Sequence, residues 1–424
     1  MYKFLFLFNV FFTFVFCWES SKVYIPKQIK INDMNVYSGL DILQHSNFNF
    51  LKNKNIGLVI NHTSVNRQNS HILDLINPIN EVNIKKIFTP EHGLKGKLSA
   101  GEYVNSGIDK LTGIEFISLY GKNKKPTSND LNDIDLMVFD IQDIGSRYYT
   151  YVSTLTYILD ACADNNIPVL ILDRPNPLNG IIIDGPILNE GFSSFVGMHH
   201  IPILHGMSIG ELAIMINELN WSNKKFRAEL TVIPVINWQR NEEYNGQIKG
   251  WLSPSPNIPD LETAKLYSGF CLLEGTNLSE GRGTLNPFKY FGAPWLNPDS
   301  ILVNLDSNIL HGIKLEKTKF TPISIPEMSK WPKYENKICY GFKMEIVNKK
   351  NNPLKAVIKL LSIINNIYPH NFKFLDTNFI DKLYGSDKLR KTIIEKKDIY
   401  SLVNSWNSDK QTFNKQRSKY LIYN

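Results

Sequence analysis

Residues 136–172, LMVFDIQDIGSRYYTYVSTLTYILDACADNNIPVLIL, decide the fold, because two strand-length apolar runs flank a helical pattern within them. The runs are Leu136–Phe139 and Val169–Leu172, and the helical pattern covers Tyr151–Ala163. A strand, a helix and a second strand in this order predict two parallel strands joined by a crossover. Both runs are continuously apolar, which indicates strands that are buried on both faces of a sheet.

The alternation of strands and helices extends upstream of this unit. Further β-rich runs occur at Ile56–Ile60, Ile84–Phe88 and Ile114–Leu119. We therefore predict an α/β fold, in which a Rossmann-like, mostly parallel sheet domain over residues 36–225 carries the catalytic groups.

The pattern changes after residue 225. Strand signals at Leu230–Ile236 and Gly341–Val347 are separated by proline- and glycine-containing loops, and helical patterns dominate from Pro353 to the end. This predicts a smaller C-terminal α+β domain over residues 226–424, which completes a cleft with the first domain. Two domains also agree with a length of 424 residues, which exceeds the usual size of a single core.

Composition excludes several classes of protein. Hydrophobic residues make up 43% of the chain and charged residues 21%, which is typical of a globular protein rather than of a disordered chain or a membrane protein with many spans. The net charge of +7 is mild, and the basic residues form no stripe with interleaved aromatics. Nucleic acid is therefore not an expected partner.

The N-terminus predicts export. Lys3 precedes an apolar run from Phe4 to Phe16, which is typical of the core of a signal peptide, so we expect residues 1–20 to form a signal peptide or an N-terminal anchor. Cys17 could be lipidated, but Phe14-Val15-Phe16 lacks the small residues that signal cleavage prefers, so membrane attachment through the N-terminus stays open. The three remaining cysteines are widely spaced and encode no disulfide framework, which favours a bacterial periplasm.

Polar residues follow each of the five predicted strands of the first domain. In open α/β sheets the ligand crevice lies outside the carboxyl ends of the strands, so these residues are expected to converge on one cleft. They are Asn61-His62-Thr63, Glu91-His92-Gly93, Tyr120-Gly121, Asp140-Ile141-Gln142-Asp143 and Asp173-Arg174-Pro175-Asn176.

Glu91 is the strongest catalytic candidate among these residues. Pro90 gives its backbone a rigid entry and Gly93 a permissive exit, which is typical of a positioned acid. Protonation of a glycosidic oxygen requires such an acid. The alternative is a carboxylate that only caps the following turn.

Asp140, Asp143 and Arg147 share one strand-to-helix connection, and three tyrosines follow within four residues. Carboxylates beside aromatic rings suit a sugar site, because sugar rings offer apolar faces and hydroxyl rims. A structural ion-pair network is the alternative for the same residues.

In the second domain, the loop Glu274–Thr284 is the densest polar stretch. Its Arg282 could hold a carboxylate through two parallel hydrogen bonds. The alternative there is an ordinary surface loop.

Other motifs carry less weight. Gly206–Gly210 matches GxSxG, but Ser208 and Glu211 also form the S-x-x-E capping box of a helix, which we favour. No GxGxxG or Walker A pattern is present, and the histidines lack the spacing of metal ligands. We therefore expect neither a cofactor nor a metal.

The chain resembles the NamZ-type exo-β-N-acetylmuramidases, a bacterial family long catalogued as uncharacterised. The resemblance runs through nearly the whole chain. It rests on TPEHG at 89–93, FDIQDIGSR at 139–147, DRPNPLNG at 173–180, HGMSIGE at 205–211, SPSPNIP at 253–259 and EGTNLSEGRGT at 274–284, and it continues to GAPW at 292–295.

The resemblance implies a glycosidase that removes N-acetylmuramic acid from the non-reducing end of peptidoglycan fragments, with muropeptides or disaccharides as substrates. It implies that Glu91 is catalytic. Asp140 and Glu274 are both candidates for the second carboxylate, unless the N-acetyl group of the substrate assists the reaction instead. Arg282 is our first candidate for binding the lactyl carboxylate of muramic acid, and Arg147 the second.

Further residues at the predicted cleft are expected to bind substrate. They are Asn61, His92, Tyr120, Gln142, Asp143, Asp173, Arg174, Asn277 and Glu280. A non-catalytic protein that binds muropeptides through the same arginines and aromatics is the alternative function. Stereochemistry and oligomeric state are left open by the sequence.

Overall fold

The structure is a computed structural model that describes residues 12–26, 29, 31, 33–96, 98–99, 101–102, 106–222, 225–242, 244, 251–305, 310, 312–348 and 353–424. Within these ranges, nine strands form one large sheet. They are β1 (Phe12–Cys17), β2 (Ser21–Pro26), β3 (Lys54–Ile60), β4 (Val82–Thr89), β5 (Gly107–Ile108), β6 (Glu115–Ser118), β7 (Leu136–Asp140), β8 (Val169–Leu172) and β9 (Leu230–Ile233).

The order of strands in the large sheet is β1-β2-β9-β8-β7-β3-β4-β6-β5. All neighbours pair in parallel except β1 with β2 and β5 with β6, which are antiparallel edge pairs. From β3 the chain moves outward through β4 and β6, and then returns to the other side of β3 with β7, β8 and β9. This is the doubly wound order of a Rossmann-like sheet, and the prediction of a mostly parallel sheet is confirmed.

Both faces of the sheet are buried, as the apolar runs predicted. Successive residues of β7 and β8 point alternately into two separate hydrophobic clusters: Met137 and Phe139 lie in one, and Leu136 and Val138 lie in the other. Four helices supply the covering residues. They are α1 (Gly39–His45), α2 (Ile72–Ile76), α3 (Tyr151–Asp164) and α4 (Ile209–Glu218), the first two on one face and the last two on the opposite face.

Helix α4 begins with the predicted capping box. Ser208 accepts from the backbone N–H of Glu211, and the Glu211 carboxylate accepts from the backbone N–H of Ser208. Ser208 therefore begins a helix, and the two side chains of the box together satisfy two of its free amides. The run before it forms no strand, so the strand that a nucleophile elbow requires is absent from this described segment.

The second half of the chain is smaller and mainly helical. A three-stranded antiparallel sheet has the order β10 (Tyr290–Ala293), β12 (Cys339–Ile346) and β11 (Ile313–Phe320). The helices are α5 (Leu261–Phe270), a 3-10 helix (Cys271–Gly275), α6 (Pro298–Leu302), α7 (Pro353–Ile367), α8 (Phe379–Tyr384), α9 (Lys388–Ile394) and α10 (Ile399–Arg417). This confirms the predicted α+β class, with α5 packed on α7.

Strand β9 corrects the predicted division of the chain. Its residues Leu230–Ile233 were expected in the second domain, but they pair with β8 and β2 in the large sheet. Strand β2 likewise precedes residue 36, where the first domain was predicted to begin. The predicted range 36–225 therefore omits three strands of the large sheet, namely β1, β2 and β9. Local patterns could not reveal this, because the parallel β2–β9 pair joins segments that are some 200 residues apart.

The predicted signal peptide falls partly outside the described residues, which begin at residue 12. Its last part forms β1, the terminal strand of the large sheet. Among the described residues, no helix has both the length and the apolar character to cross a membrane.

The two halves are joined by buried hydrogen bonds. The Arg147 guanidinium donates to the backbone carbonyls of Leu383 and Tyr384 at the end of α8. The Tyr423 hydroxyl donates to Asp173, which follows β8. The carboxyl ends of the large sheet are thereby held against the second half.

Candidate active site

Glu91 lies two residues beyond β4 and is half-buried. Its Oε1 accepts a hydrogen bond from the backbone N–H of Gly101 at 3.1 Å, and its Oε2 accepts one from the Thr150 hydroxyl at 3.0 Å. Thr150 occupies the N-cap position of α3, but its hydroxyl makes no capping bond and is directed at Glu91 instead. Two neutral donors thus orient the carboxylate without neutralising it.

Tyr120, which follows β6, is a protonated phenol within hydrogen-bonding reach of Glu91. Burial raises the pKa of its phenol, and the Glu91 and Glu274 carboxylates raise it further. The phenol is therefore a permanent hydrogen-bond donor, and it responds to a carboxylate from each half of the chain. This makes Tyr120 the link between the two sides of the site.

Two neutral histidines support the turn around Glu91. His92 has a left-handed backbone (φ 72°), and its Nδ1 lies 2.6 Å from the carbonyl oxygen of Leu98. His62 Nε2 lies 2.6 Å from the carbonyl oxygen of Ser253. Because a carbonyl only accepts, these ring nitrogens carry the protons. Burial lowers the pKa of both imidazoles, so they stay neutral.

Asp143 and three tyrosines form a buried group behind Glu91. The Asp143 Oδ2 accepts from the backbone N–H of Gly145 at 2.7 Å, and burial raises the pKa of this carboxyl to about 7. The Tyr149 ring packs edge-on against Tyr151 at 4.8 Å and against Tyr267 at 6.1 Å between centroids. Burial raises the pKa of the Tyr149 phenol, with Asp143 and Glu91 adding to the shift.

Glu274 and Arg282 form the opposite side of the site, in the second half of the chain. Arg282 donates to Glu274 Oε1 through Nε at 3.0 Å and through Nη2 at 2.7 Å. Glu274 Oε2 has the Cys271 thiol at 3.9 Å, which is a weak donor. The Arg282 guanidinium also lies over the Phe288 ring, 5.1 Å from its centroid. Glu274 is therefore a fixed carboxylate with one oxygen free of strong donors.

The charge of Arg282 is already balanced within the second half. Glu280 Oε1 lies 3.7 Å from Arg282 Nε, and Glu280 Oε2 accepts from Lys333 Nζ at 2.9 Å. Two carboxylates thus face two cations in this cluster. Within the described part of the chain, no three His, Cys, Asp or Glu side chains are grouped as a metal ion would require.

Comparison with known proteins matches most of the chain to one family. The N-terminal domain described as exo-beta-N-acetylmuramidase NamZ matches residues 56–262, and the C-terminal domain of the same description matches residues 265–423. The chain belongs to the NamZ family. The boundary between the two NamZ domains falls after β9, in agreement with the sheet pairing.

Individual NamZ-type relatives match over most of their length. The peptidoglycan beta-N-acetylmuramidase NamZ of Bacillus subtilis (strain 168) is 38% identical over 391 residues, which cover 92% of this chain and 91% of that protein. Two DUF1343 family proteins of Bacteroides fragilis NCTC 9343 have similar crystal structures. One has a TM-score of 0.81 at 29% identity and covers 92% of this chain and 100% of its own; the other has a TM-score of 0.75 at 35% identity and covers 92% and 99%.

The NamZ resemblance left Asp140 and Glu274 as candidates for the second carboxylate, and their surroundings differ. Asp140 is fully buried, and Arg174 donates to both of its oxygens, at 2.6 and 2.9 Å. Burial raises the pKa of Asp140 above its ordinary value, and the paired guanidinium only partly offsets this shift. This closed ion pair leaves no oxygen of Asp140 and little of Arg174 for substrate, so neither residue belongs to the cleft surface.

Arg147 is also removed from the residues that can contact substrate. Its Nη1 donates to the carbonyls of Pro186 and Ile201, and its Nη2 donates to those of Leu383 and Tyr384. The side chain is 2% exposed, and burial lowers the pKa of its guanidinium to about 10. Its role is to tie the two NamZ domains together, rather than to receive a lactyl carboxylate.

Four more predicted binding residues are used internally. Asp173 accepts from Ser208, Tyr423 and the backbone of Gly210, and burial raises its pKa to about 6. The amide groups of the other three bond to neighbouring backbone or to a buried hydroxyl. Asn61 bonds to Tyr151 and Thr63, Gln142 to the carbonyls of Asp143 and Pro175, and Asn277 to the backbone of Asn371 and Lys373.

The sequence therefore placed Glu91, His92, Tyr120, Asp143, Glu274 and Arg282 in one region and added buried residues that support it. It missed Thr150 as a member of the site, and it grouped His62 with the strand-end residues without assigning it a role. Thr150 directly precedes an apolar helical pattern, which is the signal of an N-cap. That signal identifies Thr150 as an N-cap residue, but it does not reveal that the Thr150 hydroxyl donates to Glu91.

Proposed function

We propose that this chain is an exo-acting glycosidase that releases N-acetylmuramic acid from the non-reducing end of peptidoglycan fragments, with Glu91 as its general acid. The observation that carries the proposal is the environment of Glu91 within a NamZ-family chain. The carboxylate lies at a strand end, is oriented by two neutral donors, and adjoins a protonated tyrosine.

In the proposed reaction Glu91 donates its proton to the glycosidic oxygen as the bond to the anomeric carbon breaks. Thr150 and Gly101 hold the carboxyl in place, which keeps the proton directed at one point. The Tyr120 hydroxyl is a further donor, and it can hydrogen-bond to the Glu91 carboxylate once the proton has left.

Glu274 is the better placed of the two candidates for the second carboxylate. Its Oε2 lacks a strong donor, whereas both oxygens of Asp140 are held by Arg174. Arg282 fixes Glu274 through its other oxygen, and it can present its remaining guanidinium N–H groups to the lactyl carboxylate. The shared use of Arg282 would couple recognition of muramic acid to the position of Glu274.

The test uses two disaccharides of opposite sequence. Purified protein is incubated with N-acetylmuramic acid β-linked to N-acetylglucosamine, and separately with N-acetylglucosamine β-linked to N-acetylmuramic acid, and the released sugars are separated by chromatography. We expect free N-acetylmuramic acid from the first and no cleavage of the second. Binding of the first disaccharide without any release would favour a muropeptide-binding protein instead.

Export to a bacterial periplasm is part of the proposal and rests on the N-terminal sequence. The apolar run after Lys3 supports it. Cleavage near Cys17 would remove β1, which is the terminal strand of the large sheet and pairs with β2. The remaining strands would keep their pairings. Fractionation of native cells and sequencing of the mature N-terminus test the proposal, and a cytosolic protein that retains Met1 would contradict it.

A further inference from the structure

Asp143 and Tyr149 each carry a buried polar atom that the described residues leave without a hydrogen bond. These atoms are Asp143 Oδ1 and the Tyr149 hydroxyl oxygen. The two residues are 6% and 7% exposed, and the two atoms themselves are buried. A buried polar atom without a partner costs stability, so each one in a native structure needs an explanation, and a ligand that supplies the missing bond is one such explanation.

The carboxylate of Asp143 is held rigidly by its other oxygen. Oδ2 accepts from the backbone N–H of Gly145, whose left-handed backbone (φ 83°) lies against Asn176. A side chain at position 145 would collide with that asparagine, so the turn requires glycine. The free Oδ1 is therefore presented in a fixed direction rather than by a mobile side chain.

Both groups lie next to the proposed acid. Thr150, which donates to Glu91, is the chain neighbour of Tyr149 and of Tyr151. The Glu91 and Asp143 carboxylates both raise the pKa of the Tyr149 phenol, so all three groups share one locality. The Tyr149 hydroxyl lies next to that of Tyr151, and the contact raises the pKa of the Tyr149 phenol, but the two hydroxyls do not meet the geometry of a hydrogen bond. Tyr151 itself donates to the Pro254 carbonyl and accepts from Asn61.

The free atoms have complementary hydrogen-bonding roles. Asp143 Oδ1 is an acceptor, and the Tyr149 hydroxyl is a donor. A secondary amide presents one N–H and one carbonyl oxygen, and the methyl group of an acetamide would suit the surrounding tyrosine rings. We propose that Asp143 and Tyr149 form the subsite that binds the 2-acetamido group of the muramoyl residue, Asp143 accepting from its N–H and Tyr149 donating to its carbonyl.

This inference rests on the proposed function, and a matched pair of sugars tests it separately. N-acetylmuramic acid and 3-O-lactylglucose differ only at carbon 2, where an acetamido group replaces a hydroxyl. Their affinities for the wild-type protein are measured by calorimetry. We expect N-acetylmuramic acid to bind at least about tenfold more tightly, because only its amide satisfies both buried atoms.

The variants are Asp143→Asn and Tyr149→Phe, with Tyr148→Phe as the control. In both test variants the preference for N-acetylmuramic acid should fall to about twofold or less, through loss of affinity for that sugar alone. Tyr148 belongs to the same tyrosine run, but its hydroxyl donates to the Ser268 carbonyl. The control should keep the full preference while lowering the Tm, whereas Tyr149→Phe should not lower the Tm, since it removes a hydroxyl without a partner.

Two results would overturn the inference: an unchanged preference in both test variants, or an equal loss of affinity for the two sugars. Cleavage of the muramic–glucosaminyl disaccharide by the wild type is scored in parallel. If cleavage occurs while the preference survives both substitutions, the subsite is wrong and the proposed function stands. If the wild type neither cleaves the disaccharide nor binds either sugar, the proposed function itself fails.

Discussion

The carboxylates after β4 and β7 occupy equivalent places at the carboxyl edge of the sheet, yet their surroundings are opposite. Glu91 is half-buried and is held by a backbone N–H and a hydroxyl, both neutral. Asp140 is fully buried and is held at both oxygens by one guanidinium. The neutral donors orient the carboxylate of Glu91, which is still partly exposed, whereas the paired guanidinium occupies both oxygens of Asp140 in the interior.

This difference distinguishes a catalytic carboxylate at a strand end from a structural one. Position in the sheet directs a polar residue towards the crevice, but it does not determine what the residue does there. Access to the cleft does, because a fully buried carboxylate with both oxygens bound has none to offer to substrate. By this criterion Glu91 and Glu274, which are partly exposed, face chemistry, whereas Asp140 and Asp173, which are fully buried and bound at both oxygens, hold the scaffold.

The largest effect should come from Glu91→Gln, which keeps the shape of the side chain and removes its proton transfer. We expect kcat/KM on the muramic–glucosaminyl disaccharide to fall about 10²- to 10⁴-fold, the usual contribution of a general acid. Circular dichroism and Tm should remain those of the wild type. The matched control is Glu115→Gln on β6, where the side chain is largely exposed. Turnover above about a tenth of the wild-type value would move the acid away from Glu91.

The second effect is on stability and comes from Asp140→Asn. This substitution leaves the Arg174 guanidinium buried without a counterion, so the free energy of unfolding in urea should fall by about 3–5 kcal/mol. Activity per folded molecule should change far less than in Glu91→Gln. Replacing both partners by apolar residues of similar volume, Asp140→Leu with Arg174→Met, should recover much of the loss. A stable Asp140→Asn variant without turnover would assign the residue to catalysis instead.

The fold was largely predictable, because strands buried on both faces leave an apolar run that a single sequence reveals. Strand β11 was missed since its Lys and Glu residues are mostly exposed and give it no apolar run. Strand β9 was recognised but placed in the wrong domain. Its neighbour β2 lies some 200 residues earlier in the chain, and local patterns carry no information on such pairing.

The candidate site was predictable to the same extent. Glu91, Tyr120 and Glu274 could be identified as polar residues at strand ends or in a dense loop. Arg147 could not be recognised as a tie between domains, because two of its acceptors are backbone carbonyls 236 and 237 residues away. Any residue type can supply a backbone carbonyl, so the sequence holds no mark of that partner.

Asp143 lies between Glu91 and Asp140 in character, since it is nearly as buried as Asp140 but no described residue forms an ion pair with it. Burial raises its pKa to about 7 in the folded protein, against about 4 in the unfolded chain. The folded state therefore binds the proton more tightly. The resulting stabilisation is full below about pH 4 and is lost as the pH rises through about 7.

Asp143→Asn lacks this loss because asparagine is neutral throughout. Its unfolding free energy relative to the wild type should rise by roughly 2–4 kcal/mol between pH 4 and pH 8, as measured by urea unfolding at each pH. The control is Asp398→Asn at the exposed N-cap of α10, where hydrogen bonds lower the pKa of the carboxyl. That control should show no rise over the same window. A flat difference for Asp143→Asn would mean that burial does not raise the pKa of this carboxyl.

The smallest effect tests whether the scaffold side of the comparison is free of chemistry. Ser208 lies in a GxSxG pattern, but its hydroxyl donates to Asp173 at 2.7 Å and accepts from the backbone N–H of Glu211 at 3.2 Å. Both bonds serve the start of α4, so Ser208→Ala should cost about 1–2 kcal/mol in urea unfolding and leave kcat/KM within about twofold. The exposed helical serine Ser408 provides the control, and its change to alanine should alter neither quantity. If Ser208→Ala instead abolished turnover in a stable protein, an interior hydroxyl would be reacting with substrate, and burial would not distinguish structural residues from catalytic ones.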